Sequence, residues 1–93
     1  MNLPLTDFEK TYISSATTTQ VATGKCILEK IVVNTTVGST IGIIDGTSGT
    51  TVNVGQLKAS VVEGVYEYGV AMKTGIRIVT GGAGDITVVW QQA

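Results

Sequence analysis

The 93-residue sequence contains no histidine, one cysteine (Cys26), one proline (Pro4), one tryptophan (Trp90) and one phenylalanine (Phe8). Without histidine, every mechanism that needs an imidazole base or ligand is excluded. A lone cysteine cannot make an internal disulfide framework, and no zinc motif is present. Charge is scarce as well: six Lys plus Arg stand against seven Asp plus Glu, a net charge of −1 with 14% charged residues. That balance argues against a nucleic-acid partner gripped through a phosphate-neutralising basic face. No apolar run in the body exceeds three residues, as in Ile31-Val32-Val33, so no membrane span is expected. The opening MNLPLTDFEK lacks a cationic stretch followed by an apolar run, so no secretory signal is expected. Synthesis in a cytoplasm follows, where an unpaired thiol is at home.

What is present is β-branched. There are 13 Val, 9 Ile and 15 Thr, with 12 Gly beside them. These residues suit a pleated, half-buried surface, and the glycines suit its turns. A chain this short buries roughly 63% of its extended surface, which is marginal for an isolated domain. Self-association is therefore expected. Small monomers carry about 25% charged residues, so this surface must be rich in Thr, Ser, Gly and Gln. Such a surface meets other protein with few charges to desolvate. The competing reading is a Thr-rich monomer kept soluble by its hydroxyls.

Two regions are expected. Residues 1–17 read as an extended N-terminal arm, with Leu3, Leu5, Phe8 and Tyr12 scattered among polar residues. A packed helix over 5–13 is the alternative, since Thr6 and Glu9 make a weak capping box. Residues 18–93 read as a single β-sandwich domain of about seven strands with turn signals every 8–12 residues. In KCILEKIVVN, Ile27, Ile31 and Val33 form the more apolar face and are expected to point inward. Ile41 and Ile43 share one face of the next strand, opposite Gly42 and Ile44. Tyr66, Tyr68, Val70 and Met72 share a face, as do Ile86, Val88 and Trp90. Lys73-Thr74-Gly75 reads as a hairpin-like turn. The segment 57–64 reads as a loop or a single helical turn.

No motif for chemistry outweighs its structural reading. VTGGAGDI runs its glycines into Asp85 and a strand, whereas a phosphate loop leads into a helix. Asp45, Asp85, Glu63 and Glu67 lie apart in sequence, and no calcium-loop spacing is present. Cys26 has no histidine to activate it, and the Lys58/Ser60 pair is a common chance spacing. Tyr66, Tyr68 and Trp90 can form a sugar-binding platform, but core or interface packing accounts for them better. No catalytic residue, metal site or cofactor is expected.

The succession GKCILEKIVVNTT, TIGIIDGTSGT and QLKASVVEGVYEYGVAMKTGIRIVTGGAGDITVVW, covering residues 24–90, resembles short β-sandwich segments of tailed-bacteriophage virion proteins. In these, a strand ending V-N-T leads to a T-I-x-I-x-D-G-T hairpin. An L-K-A-S segment, a Tyr-containing strand, a G-I-x-I-V-T strand and a closing D-I-T-V-V strand follow. The resemblance implies an all-β, antiparallel, jelly-roll-like sandwich and a capsid decoration (cement) protein on the capsid surface of a virion. The implied partners are the major capsid protein and the chain itself, as a homotrimer. A tail or fibre module that binds a host surface or carbohydrate is the alternative placement, and a stand-alone chain of this length favours decoration. Leu3, Leu5, Phe8, Tyr12, Tyr66, Tyr68 and Trp90 are the expected subunit or capsid contacts, because aromatic and Leu anchors dominate such interfaces.

Overall fold

A computed structural model describes residues 8–93. Those residues form eight strands and no α-helix: β1 (Glu9–Ile13), β2 (Thr17–Thr23), β3 (Cys26–Thr35), β4 (Ile41–Asp45), β5 (Gly55–Leu57), β6 (Gly64–Met72), β7 (Gly75–Thr80) and β8 (Asp85–Gln92). They pair into two antiparallel four-stranded sheets. Sheet A has the order β1-β8-β3-β6 and sheet B the order β2-β7-β4-β5. The arrangement is compatible with a β-sandwich. Ile13, Leu28, Ile31, Val33, Met72, Ile86 and Val88 of sheet A join Ala22, Ile41, Ile43, Ile76 and Ile78 of sheet B in one buried cluster. Val37 and Val61 join it from the loops.

Period-two alternation explains most strands. In β8, Ile86 and Val88 are buried while Thr87 and Val89 are half-exposed. In β6 the exposed Val65, Glu67, Gly69 and Ala71 alternate with Tyr66, Tyr68, Val70 and Met72 on the core side. β3 is different. Its buried residues are Cys26 and Leu28, then Ile31 and Val33, so the inward parity changes partway along. Leu28 opposes Trp90 and Lys30 opposes Val89, which leaves an extra residue, Glu29, on β3. This β-bulge re-aims the strand. Ile31 and Val33 point inward as expected, whereas Ile27 is only half-buried and Cys26 and Leu28 take the inward places.

Two further expectations change. Residues 9–13, expected within the arm, pair along β8 as an edge strand, so a helix over 5–13 does not form there. Lys73-Thr74-Gly75 does not close a hairpin, because β6 belongs to sheet A and β7 to sheet B. Only β4 and β5 are consecutive strands within one sheet. The crossover into β7 depends on a close approach at Gly75, where a Cβ would lie 2.5 Å from the Ala22 carbonyl oxygen.

Leu28→Ala should lower stability by about 2–5 kcal/mol through the cavity it leaves. Val65→Ala, on an exposed side chain, should stay within about 0.5 kcal/mol of the parent. Thermal melts followed by circular dichroism check both.

Candidate interaction surface

The outer face of sheet B is covered by the chain's own loop. Residues 46–54, between β4 and β5, fold back across it, and Val54 donates its N–H to the Ile43 carbonyl at 3.2 Å. Gly42 faces this loop because a Cβ there would lie 2.8 Å from Val52 Cγ2. Gln20 Nε2 donates to the carbonyls of Ala22, Gly46 and Ile76 at 2.8, 2.9 and 3.2 Å. Arg77 bridges from β7, donating from Nη1 to Gln20 Oε1 at 2.9 Å and from Nε to the Gly49 carbonyl at 2.8 Å. Asn53 and Asp45 exchange two hydrogen bonds, with Asp45 N donating to Asn53 Oδ1 and Asn53 Nδ2 donating to the Asp45 carbonyl. Ile44 is buried beneath the loop although it points away from the core between the sheets.

Asp45 also ties the sheets together. Its carboxylate accepts from the N–H groups of Lys73, Thr74 and Gly75 at 3.0, 2.8 and 3.3 Å. Those backbone bonds, led by the one from Lys73, hold its pKa below the usual carboxylate range. Elsewhere Asp85 accepts from Tyr12 Oη at 2.6 Å. Bonds from Thr35 and then Tyr12 lower its pKa. Glu63 accepts from Thr36 Oγ1 and Thr36 N at 2.8 and 3.1 Å, and its pKa is lowered by the same contacts. These three carboxylates therefore act as turn and edge fasteners. Burial, then Asp45, pushes the Cys26 thiol pKa up.

The outer face of sheet A carries no such loop among the described residues. Residues opposed in the ladder share a face. One outward row across the sheet is Tyr12, Thr87, Val32 and Val65. The next is Lys10, Val89, Lys30 and Glu67. Tyr12 is 61% and Val65 55% exposed, at opposite edges of the sheet. Apolar groups and a few charges thus share one face, half-buried along its middle strands and exposed at its two edges.

The residues expected from the sequence divide between the faces. Tyr12 lies on the open face, and Phe8 is exposed just before β1. Tyr66, Tyr68 and Trp90 lie on the inner face, half-buried against the core. Tyr66 Oη donates to the Val62 carbonyl at 2.5 Å, and Trp90 Nε1 donates to Thr11 Oγ1 at 3.3 Å. Leu3 and Leu5 lie outside the described residues. Sequence reasoning missed Lys10, Val32, Val65, Val89 and Glu67. The clue to them was that β3 carries charge on both of its alternating faces. Among the described residues no three His, Cys, Asp or Glu side chains gather as metal ligands, and no pocket forms. No protein-family model, curated protein or solved structure matches the chain.

Asp45→Ala should cost about 1 kcal/mol at neutral pH, the exposed setting discounting its three hydrogen bonds. Because the folded-state pKa is lowered, the stabilisation is present above the unfolded value of about 4 and is lost as pH falls through the folded value. The difference in melting temperature between parent and variant should therefore narrow on acidification below pH of about 4, which a pH series of thermal melts measures.

Proposed function

We propose that this chain is a structural virion protein that decorates a bacteriophage capsid and stabilises it by bridging major capsid protein subunits. We read its fold as a jelly roll. The orders β1-β8-β3-β6 and β2-β7-β4-β5, with nearly every connection crossing between sheets, support a double Greek key. Jelly rolls occur in viral capsid domains, and also in lectins and cupins, so fold analogy alone does not choose among these roles. The observation that carries the reading is the open, sparsely charged outer face of sheet A beside a sheet B whose outer face the chain covers itself. The resemblance of residues 24–90 to phage virion segments makes a shell the assembly in which such protein–protein contacts, to a neighbouring copy and to capsid subunits, are made. Many copies on one shell add avidity, so each contact needs only modest strength.

The N-terminal residues supply the reach to a neighbour in this reading, with Leu3, Leu5 and Phe8 as anchors. The test uses shells assembled from candidate major capsid proteins of the genome that encodes this chain. The chain should co-sediment with them saturably and raise the temperature at which they rupture. Deleting residues 1–7, which leaves β1 intact, should weaken shell binding at least about tenfold with an unchanged circular dichroism spectrum. Binding to tails and not to shells would move the chain to the tail or fibre role. Unimpaired shell binding by the truncated chain would remove the anchoring role of the N-terminus.

A further inference from the structure

We propose that a second copy of this chain covers the outer face of sheet A, giving a two-fold dimer in which β1 of each copy lies over β6 of the other. The inference does not need the virion role, but it gives the outer face of sheet A to a second copy, in place of the trimer that the resemblance implies, and leaves any shell contact to other surfaces. It starts from the order of charges across the sheet. On the outer face the second row runs Lys10 on β1, Val89 on β8, Lys30 on β3 and Glu67 on β6. Within this row positive charge thus sits at the β1 edge and negative charge at the β6 edge, while the Asp85 carboxylate near the β1 edge is engaged by Tyr12 Oη. A two-fold axis parallel to the strands, lying between two such faces, reverses the strand order of the second copy. Lys10 then meets Glu67 of the second copy, and Glu67 meets its Lys10. Each Lys30 lays its methylene stem over Val89 of the other copy, with its ammonium free to reach water.

The neighbouring row is self-complementary under the same operation. Tyr12 comes over Val65 of the second copy, and Thr87 over its Val32. The two most exposed hydrophobic side chains of this face, Tyr12 and Val65, therefore cover each other. An axis perpendicular to the strands would instead stack β1 on β1 and β6 on β6, bringing like-charged edges together. The charge pattern selects the first arrangement, and an isologous contact is closed at two copies.

The area fits an assembly of modest strength. Four strands at about 4.8 Å spacing and about seven residues at 3.3 Å per residue give a face of about 19 by 23 Å. Side-chain relief raises the total buried by two copies to about 1,000 Å², the lower end for specific interfaces. A contact of this size falls at the weak or transient end of specific interfaces, so a concentration series through the micromolar range is the appropriate test. Sheets packed in this way keep their strands within about 30° of each other, so the rows stay in register over this short span.

Light scattering after size exclusion and sedimentation equilibrium, from about 1 to about 200 micromolar of full-length protein, test the proposal. The mass should rise with concentration to twice that of the 9.6-kDa chain. Lys10→Glu and Glu67→Lys should each raise the dimer dissociation constant about tenfold, because each sets like charges against one another. The combined swap, Lys10→Glu with Glu67→Lys, should return it to within about threefold of the parent. The two residues sit on opposite edge strands, so this rescue reports a contact between copies. Val65→Asp should leave the circular dichroism spectrum unchanged and abolish the dimer. A monomer throughout the range, a trimer, or a charge swap without rescue would overturn the proposal. So would a dimer that survives Val65→Asp and is lost on deletion of residues 1–7, because the N-terminal segment would then be the contact.

Discussion

Between Leu28 and Ile31, β3 places Glu29 and Lys30 opposite the single Val89 of β8. Without this bulge, strict alternation from Cys26 and Leu28 would turn Ile31 and Val33 toward solvent and Lys30 toward the core. With it, Cys26, Leu28, Ile31 and Val33 are all buried, and Lys30 joins the outward row. An unpaired ammonium buried between the sheets would cost several kcal/mol, and two exposed aliphatic side chains would each forfeit about 1.5–3 kcal/mol of burial. The bulge meets both demands in the longest strand, which lies inside sheet A and contacts both of its neighbours. The inner core and the outer contact face are thus set by the same local irregularity.

The two outer faces are finished by different means. On sheet B the loop 46–54 supplies the cover, held by neutral acceptors that Gln20 and Arg77 reach, with Gly42 leaving room for Val52. Burial of Ile44 on that face shows that the cover is a second, smaller packing layer. On sheet A no loop covers the partly apolar rows among the described residues. A chain with little charge has few means of making such a face comfortable in water, so a partner surface is the direct physical remedy. The low charge content is then no oddity of composition: it lowers the desolvation cost of covering that face.

Much of the fold was legible because period two is a local signal. The opposition of Ile41 and Ile43 to Gly42 and Ile44, and of Tyr66 to Val65, follows from neighbours in sequence and holds. What depends on distant partners was not legible. The bulge exists only relative to β8, so Ile27 looked as good an inward residue as Leu28. The turn at Lys73-Thr74-Gly75 has hairpin composition, yet a carboxylate 28 residues earlier captures its amides in a crossover between sheets. The candidate surface was read less well for a related reason. Tyr66, Tyr68 and Trp90 stood out by residue type, but half-buried core edges and interfaces both favour aromatics. Val32, Val65 and Val89 did not stand out, because valine looks the same on either side of a sheet. Register, not composition, sorts them.

The proposed self-contact and the proposed capsid role would have to divide the surface between them. If sheet A faces a second copy, its outer face is not available to a shell, and capsid contacts fall to the N-terminal residues, the loop ends and the covered side of sheet B. The two-fold axis that pairs Lys10 with Glu67 also carries the two β1 strands to opposite edges of the dimer. Each β1 is preceded by Phe8 and by the seven residues that contain Leu3 and Leu5. Two apolar anchors would then leave one rigid body on opposite sides, and a single dimer could engage two separate capsid subunits. A monomer offers one such anchor and must bridge with its body. In the proposed dimer, bridging would follow from symmetry, and a weak affinity of each half would be raised by the effective concentration that the first contact imposes on the second.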